Sequence, residues 1–363
     1  MASFYNQFLK GLLLLIISVF VANCSSNKRV YPVSNIKQKT NADTESFGEV
    51  GTDSVPKVAI KEEISRASSF MAQKQYSKAI PHYRKALGAM KPGSRKFDGV
   101  SYNLGVAYEK IGFLKDASTQ FRYLVENAVS KGLRKDASLM LLDVLVRMEE
   151  FAAAEPIVDA MFSNFTMDDM DQRIALFYRA VVYFGLGRIP ESEIILSEAY
   201  RKFARDEMQF DYYAGGVLFY KARVKNWRFS EFKIRVPSKQ KEIAAAVKDF
   251  GEKIDLFESA HISYLKTIRV GNVYWALASG YKLGEMIESF YNEIVELPAP
   301  KGLDRESREI YFEEIAKAIK PVRQKALKIY QSTYRTALRL NVKGEWVTKL
   351  QGQIKSLEGL VEN

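Results

Sequence analysis

The chain has a single cysteine, Cys24, and two histidines, His82 and His261, in 363 residues. One cysteine allows no disulfide within the chain and no paired-cysteine metal site. Two histidines so far apart leave poor prospects for histidine-rich metal ligation or a Ser-His-Asp triad. There is no G-x-x-x-x-G-K-[ST] phosphate loop, no G-x-G-x-x-G after a strand and no H-E-x-x-H, and with them go the usual nucleotide and zinc-hydrolase signatures. Carboxylate pairs such as Glu149 and Glu150 are ordinary on the solvated face of a helix. No catalytic residue, cofactor or metal site is expected. Residue alternation long enough for a sheet is lacking too. The apolar stretch from Leu12 to Ala22 falls well short of the roughly 20 residues that span a bilayer.

That stretch has the length of a secretory h-region, with Lys10 before it and Cys24 where cleavage would fall. Val21-Ala22-Asn23-Cys24 resembles the lipobox of a bacterial lipoprotein, with Asn23 standing where Gly or Ala is usual. The resemblance implies removal of residues 1–23 and lipid attachment at Cys24. Ser25 follows in place of an inner-membrane Asp signal, so it also implies the outer membrane, facing the periplasm. An ordinary signal peptide with an incidental cysteine and an uncleaved anchor are the alternatives. Residues 24–57 read as a flexible tether, rich in Ser, Asn, Thr and Lys and without apolar periodicity. The net charge of +11 suits contact with lipid headgroups, anionic glycans or acidic proteins. No nucleic-acid recognition motif is present, and no nucleic-acid partner is expected.

From Val58 a helical period runs almost to the end. Within 58–205 it is organised as about four repeats. Leu104-Gly105-Val106-Ala107-Tyr108, then Gly112, then Ala117 and Phe121 resemble a tetratricopeptide repeat. Neighbouring copies hold Ala67, Ala79 and Tyr83; Leu142, Ala154 and Val158; and Ala180, Gly187, Ser192 and Leu196. The small residues Ala79, Ala117, Ala154 and Ser192 recur at intervals of 38, 37 and 38. These exceed the roughly 34 of the standard repeat, so longer loops between repeats are expected. Pro81 and Pro156 are expected in the first turn of their helices, where a missing N–H costs little.

Residues 206–363 read as a C-terminal helical domain. Helices are expected at about 209–226, 238–268, 272–296, 304–340 and 344–361, with Asp304 an N-cap and an interrupted fifth unit near Trp227 and Ser230. FYKARVKNWRF, YWALASGYKLGEMIESFYNEI, PAPKGLDRESREIY and KALKIYQSTYRTALRLNVKGEW resemble the C-terminal part of tetratricopeptide proteins in the myxobacterial gliding-motility envelope complex. Trp275, Pro298, Pro300, Gly302, Leu303, Tyr311, Ala326 and Trp346 carry that resemblance. It implies a non-enzymatic envelope scaffold.

The fold expected is thus all-α: a tetratricopeptide-like helical solenoid with a C-terminal helical extension. Its chemistry would be binding, through the first helix of each hairpin. Phasing gives groove positions Tyr102, Glu109, Lys110, Asp143, Arg147, Phe177 and Phe184, with Val106, Leu139, Val146 and Val181 beside them. Aromatic anchors among charges suit a helix or an extended peptide; packing of Phe177 and Phe184 against a neighbouring repeat is the other reading. The stretch 221–242 clusters Lys221, Arg223, Lys225, Arg228, Lys233 and Arg235 around Trp227, Phe229 and Phe232. It is either an anion- or membrane-facing patch or a solvated face with anchored aromatics. The expected function is to bind other envelope proteins as a scaffold or assembly factor. An outer-membrane assembly lipoprotein, and a protein that binds or processes peptidoglycan on a repeat platform, are the alternatives.

Overall fold

The computed structural model describes residues 57–203, 211–237, 240–299 and 304–361. The expectations for the signal segment, Cys24 and the tether lie outside them. Every regular element described is helical. The first are α1 (Lys57–Ala72), α2 (Tyr76–Gly88), α3 (Arg95–Lys110), α4 (Leu114–Asn127), α5 (Lys131–Arg147), α6 (Phe151–Asn164), α7 (Asp169–Gly185) and α8 (Ile189–Phe203). Then come α9 (Tyr212–Glu231), α10 (Ile243–Arg269), α11 (Val273–Val295), α12 (Arg305–Arg339) and α13 (Glu345–Val361). The chain divides into two compact units, one ending at Lys202 and one running from Phe203.

In the first unit, neighbouring helices pack in series as antiparallel hairpins. One turn is used four times. Lys74, Gly112, Glu149 and Gly187 all have positive φ, at 58°, 82°, 59° and 76°. The residue after each donates its N–H five residues back: Gln75 to Phe70, Phe113 to Tyr108, Glu150 to Leu145 and Arg188 to Tyr183, at 2.8–2.9 Å. This is the Schellman closure of a helix C-terminus. The same residue then opens the second helix, its carbonyl accepting from Ala79, Ala117, Ala154 or Ser192 at 3.0–3.2 Å. The second helices α2, α4 and α6 therefore start without a side-chain cap. The first helices α3, α5 and α7 are capped by Ser94, Ser130 and Asp168.

The small residues let paired helices approach. A Cβ on Gly105 would lie 2.8 Å from the Phe121 ring, and Ser192 donates to the Ala180 carbonyl at 2.7 Å. Gly105 meets Phe121, and the equivalent positions in the other repeats, Ala67 and Tyr83, Leu142 and Val158, and Ala180 and Leu196, are no more than 1% exposed.

Two sequence expectations are corrected. Pro81 and Pro156 lie inside α2 and α6, beyond the first turn. They are tolerated because each stands on the exposed side, and the residues four back, Ser77 and Ala152, are exposed too. The carbonyls deprived of an N–H can be hydrated there. The long period is not mainly a matter of long loops. The first helices run 16 or 17 residues; the links at 128–130 and 165–168 are short, and only the one at 89–94 is long.

In the second unit α11 is the hub, packing on α9, α10, α12 and α13. Gly280 and Gly284 open its surface to α12: a Cβ there would fall 2.3 Å from Thr333 and 2.4 Å from Tyr330. Gly215 likewise admits Trp275, whose indole donates to the Tyr212 carbonyl at 2.6 Å. Phe229, Phe250, Phe257 and Phe290 form the aromatic core. Asp304 caps α12, as its sequence position suggests. Helix α9 continues to Glu231, so no turn separates a fifth unit at Trp227.

The recurrent turn gives a stability test. Glu149 is exposed and left-handed. That conformation costs an L-residue about 1–2 kcal/mol, while glycine brings an entropic cost of only about 0.5–1 kcal/mol. Glu149→Gly should therefore raise stability by about 0.5–1 kcal/mol and Gly112→Ala should lower it by about 1 kcal/mol in urea melts. The opposite ordering would show that the turn does not set the hairpin.

Candidate functional site

The face shared by α3, α5 and α7 brings together several of the expected groove residues. Arg147 is ion-paired with Glu109 across the two helices and lies 3.3 Å from Asp143 one turn back. Asp143 in turn accepts a hydrogen bond from the Tyr178 hydroxyl of α7 at 3.0 Å. Lys110 flanks Glu109 at 3.0 Å. A second tie, Lys135 to Asp171, joins α5 to α7. Burial raises the Asp143 carboxyl pKa, against the opposing pull of Arg147. Tyr102 is half-buried, edge-on to Phe121 at 5.7 Å. Its hydroxyl is pushed up to about 12 by burial and then by Asp136.

Phe184 is half-buried, but Phe177 is not a groove residue. It is 2% exposed, with its ring 5.2 Å from Tyr178. Val181, one turn on, is 1% exposed and Tyr178 is 3% exposed, so this part of α7 faces inward, which is the packing alternative for Phe177. Tyr178 is the residue that presents a polar atom to the network, and its hydroxyl was the signal to look for.

The basic stretch does not form one face. Lys221, Lys225 and Arg228 share a side of α9, whereas Arg223 points elsewhere and lies over the Tyr220 ring at 5.6 Å. Arg235 is ion-paired with Asp249, and Lys233 donates to the Ser230 carbonyl at 2.9 Å. Phe229 is buried, while Trp227 is 40% exposed.

Sequence reasoning missed Lys253, which is fully buried. Its ammonium donates to the Phe229 and Phe232 carbonyls at 2.6 Å each and pairs with Glu293 at 2.8 Å. It thus closes the C-terminal end of α9. Burial lowers its pKa against the pull of Glu293. The available signal was its place in the apolar stripe Ala246, Phe250, Phe257, Ala260, Tyr264.

An open groove of about 500 Å³ in the second unit is lined by Glu285, Glu288, Glu293 and Glu296 among others. Three of these carboxylates are already engaged, by Lys282, Tyr330 and Lys253. No group of acidic, histidine or cysteine residues among the described ones is arranged to hold a metal ion. No described helix is long and apolar enough to cross a membrane.

Between α1 and α2, Glu63 accepts from Lys85 and bonds His82 Nδ1, each at 2.6 Å. The Phe70 ring stacks on His82.

No family model matches the chain, and no curated protein matches it. Among solved structures, a computationally designed self-assembling cyclic homo-oligomer is similar over 85% of this chain and 99% of its own, at 13% identity and a TM-score of 0.22. A TM-score that low supports no argument about fold or function.

The Glu63 cluster makes stability depend on pH. Lys85 first, then His82, hold its carboxyl at about 2 against an ordinary 4.5. A depressed carboxyl stabilises the fold above the unfolded value, and the contribution fades as pH falls from 4.5 toward 2. Melting curves across that window should show a steeper loss for the wild type than for Glu63→Gln. Parallel curves would remove Glu63 from the account.

Proposed function

We infer that the chain is a lipid-anchored outer-membrane protein facing the periplasm. Its first unit is a tetratricopeptide solenoid that binds other envelope proteins and holds them as a non-enzymatic scaffold. A trans-envelope complex of the gliding-motility kind is the setting that the C-terminal resemblance favours. The observation behind the binding role is the Glu109–Arg147–Asp143–Tyr178 chain of contacts. It ties charged side chains on α3 and α5 to the Tyr178 hydroxyl on α7, so polar groups on three successive first helices are held together, and Tyr102 and Phe184 lie half-buried on the same helices. A surface ordered before binding gives up less conformational freedom when a partner arrives. The lipid anchor rests on Val21-Ala22-Asn23-Cys24.

Two experiments test this reading. A labelled fatty acid should mark the wild type and not Cys24→Ser, and the variant should leave the outer-membrane fraction. An unlabelled wild type would end the anchor reading. In-cell cross-linking should recover envelope proteins with the wild type. Replacing Tyr102 and Phe184 together with Ala should weaken that recovery, with an affinity loss of about 2 kcal/mol or more if they are anchoring residues. Undiminished recovery by a double variant of normal circular dichroism would move the binding surface elsewhere.

A further inference from the structure

Lys61, Lys91, Arg95, Lys96 and Lys131 are exposed, and none has an ion-pair partner among the described residues. The antiparallel hairpins bring them to one edge of the first unit. There the start of α1, the end of α2, the start of α3, the end of α4 and the start of α5 meet. Two contacts fasten the edge: Asp98 accepts from the Val129 N–H at 2.9 Å, and the rings of Phe97 and Tyr123 meet edge-on at 5.5 Å. Arg134 adds a guanidinium whose Nε is buried without an acceptor.

Exposed acids on the same edge, Glu126 at the end of α4 and Asp136 near the start of α5, offset only part of this charge. Between Lys57 and Phe97 the only acidic residues are Glu62 and Glu63. Both are engaged, by Arg66 at 3.8 Å and by Lys85 at 2.6 Å. The sign then reverses along the edge, because α7 begins with Asp168, Asp169 and Asp171. The positive field is thus confined to the first three first-helix starts.

We propose that this edge docks on an anionic phospholipid surface. The cations are spread over successive helix starts and the link before α3, as contact with an extended surface requires. Among them Val129 is 51% exposed; an apolar side chain beside lysines is taken up by a headgroup layer but gains nothing from a hydrated polyanion. The chain also enters α1 at Lys57 on this edge, coming from the segment that holds Cys24. This last point rests on the lipid-anchor reading; the charges and Val129 do not.

The test uses the chain from Ser25 onward, which keeps every described residue and has no acyl chain. It should sediment with vesicles of phosphatidylcholine mixed with phosphatidylglycerol, and not with phosphatidylcholine alone. Changing Lys91, Arg95, Lys96 and Lys131 to Gln should lower the partition coefficient about fivefold per cation removed at low salt. The effect should shrink as salt is raised. Val129→Ser, which alters no charge, should also weaken binding. Four control replacements by Gln, at the exposed Lys317, Lys320, Lys328 and Lys343, should leave it unchanged. Equal binding to both vesicle types, an equal loss in the control, or tighter binding to polyglutamate than to the mixed vesicles would each overturn the proposal. With no lipid on the protein, a negative result concerns the edge alone, and the acyl-label test concerns Cys24 alone.

Discussion

A single hydrogen-bonded turn does most of the organising in the first unit. The N–H of Gln75, Phe113, Glu150 or Arg188 closes one helix while the carbonyl of the same residue opens the next. No spare residue lies between the two jobs, so the angle between paired helices is set by backbone geometry before any side chain packs. The side chains then reinforce it by different means. Phe113 stacks on Tyr108, with ring centroids 6.5 Å apart, while Arg188 lies over the Tyr183 ring at 3.9 Å. Both are contacts between the same two positions, C″ and C3, that accompany this closure. Because the turn recurs at 38, 37 and 38 residues, the first helices arrive in register, and charges such as Glu109 and Arg147 face each other across them.

The second unit solves a different problem. Its helices are longer and its connections irregular, so order comes from close approach and from one buried charge. Glycines notch α11 and α9 where Tyr330, Thr333 and Trp275 come in. Lys253 answers the carbonyls left over at the end of α9, a demand any buried helix terminus must meet. An ammonium there is favourable for the helix dipole as well, and Glu293 balances it.

Helix content, the repeat period and the positions of the small residues were legible in the residues themselves. Periodicity reports burial, and Ala79, Ala117, Ala154 and Ser192 are buried for one shared reason. Gly112 and Gly187 announced two of the turns. Lys74 and Glu149 concealed the other two, since nothing in a lysine or glutamate advertises a left-handed backbone. Partners 35 or 38 residues apart, such as Asp143 with Tyr178 or Glu109 with Arg147, emerge only once the helices are stacked. Phe177 shows the limit of phasing by equivalence: Tyr102 and Leu139 are half-buried at the same repeat position, yet Phe177 and its neighbour Tyr178 are both buried. Lys253 was hidden for the reverse reason, because a lysine is read as solvated until its neighbours along the stripe are counted.

The fit between paired helices also bears on how such a chain can be rearranged. The Gly105–Phe121 fit lies within one hairpin, and the buried Leu142 and Val158 take the equivalent positions within another, so complementarity of this kind is internal to a pair of helices. A whole hairpin could be duplicated or exchanged with its complementarity intact. A single helix could not, because Leu142 would then meet Phe121 where only a glycine leaves room, or Gly105 would face Val158 across a void. The inheritable module is therefore the hairpin of 37 or 38 residues.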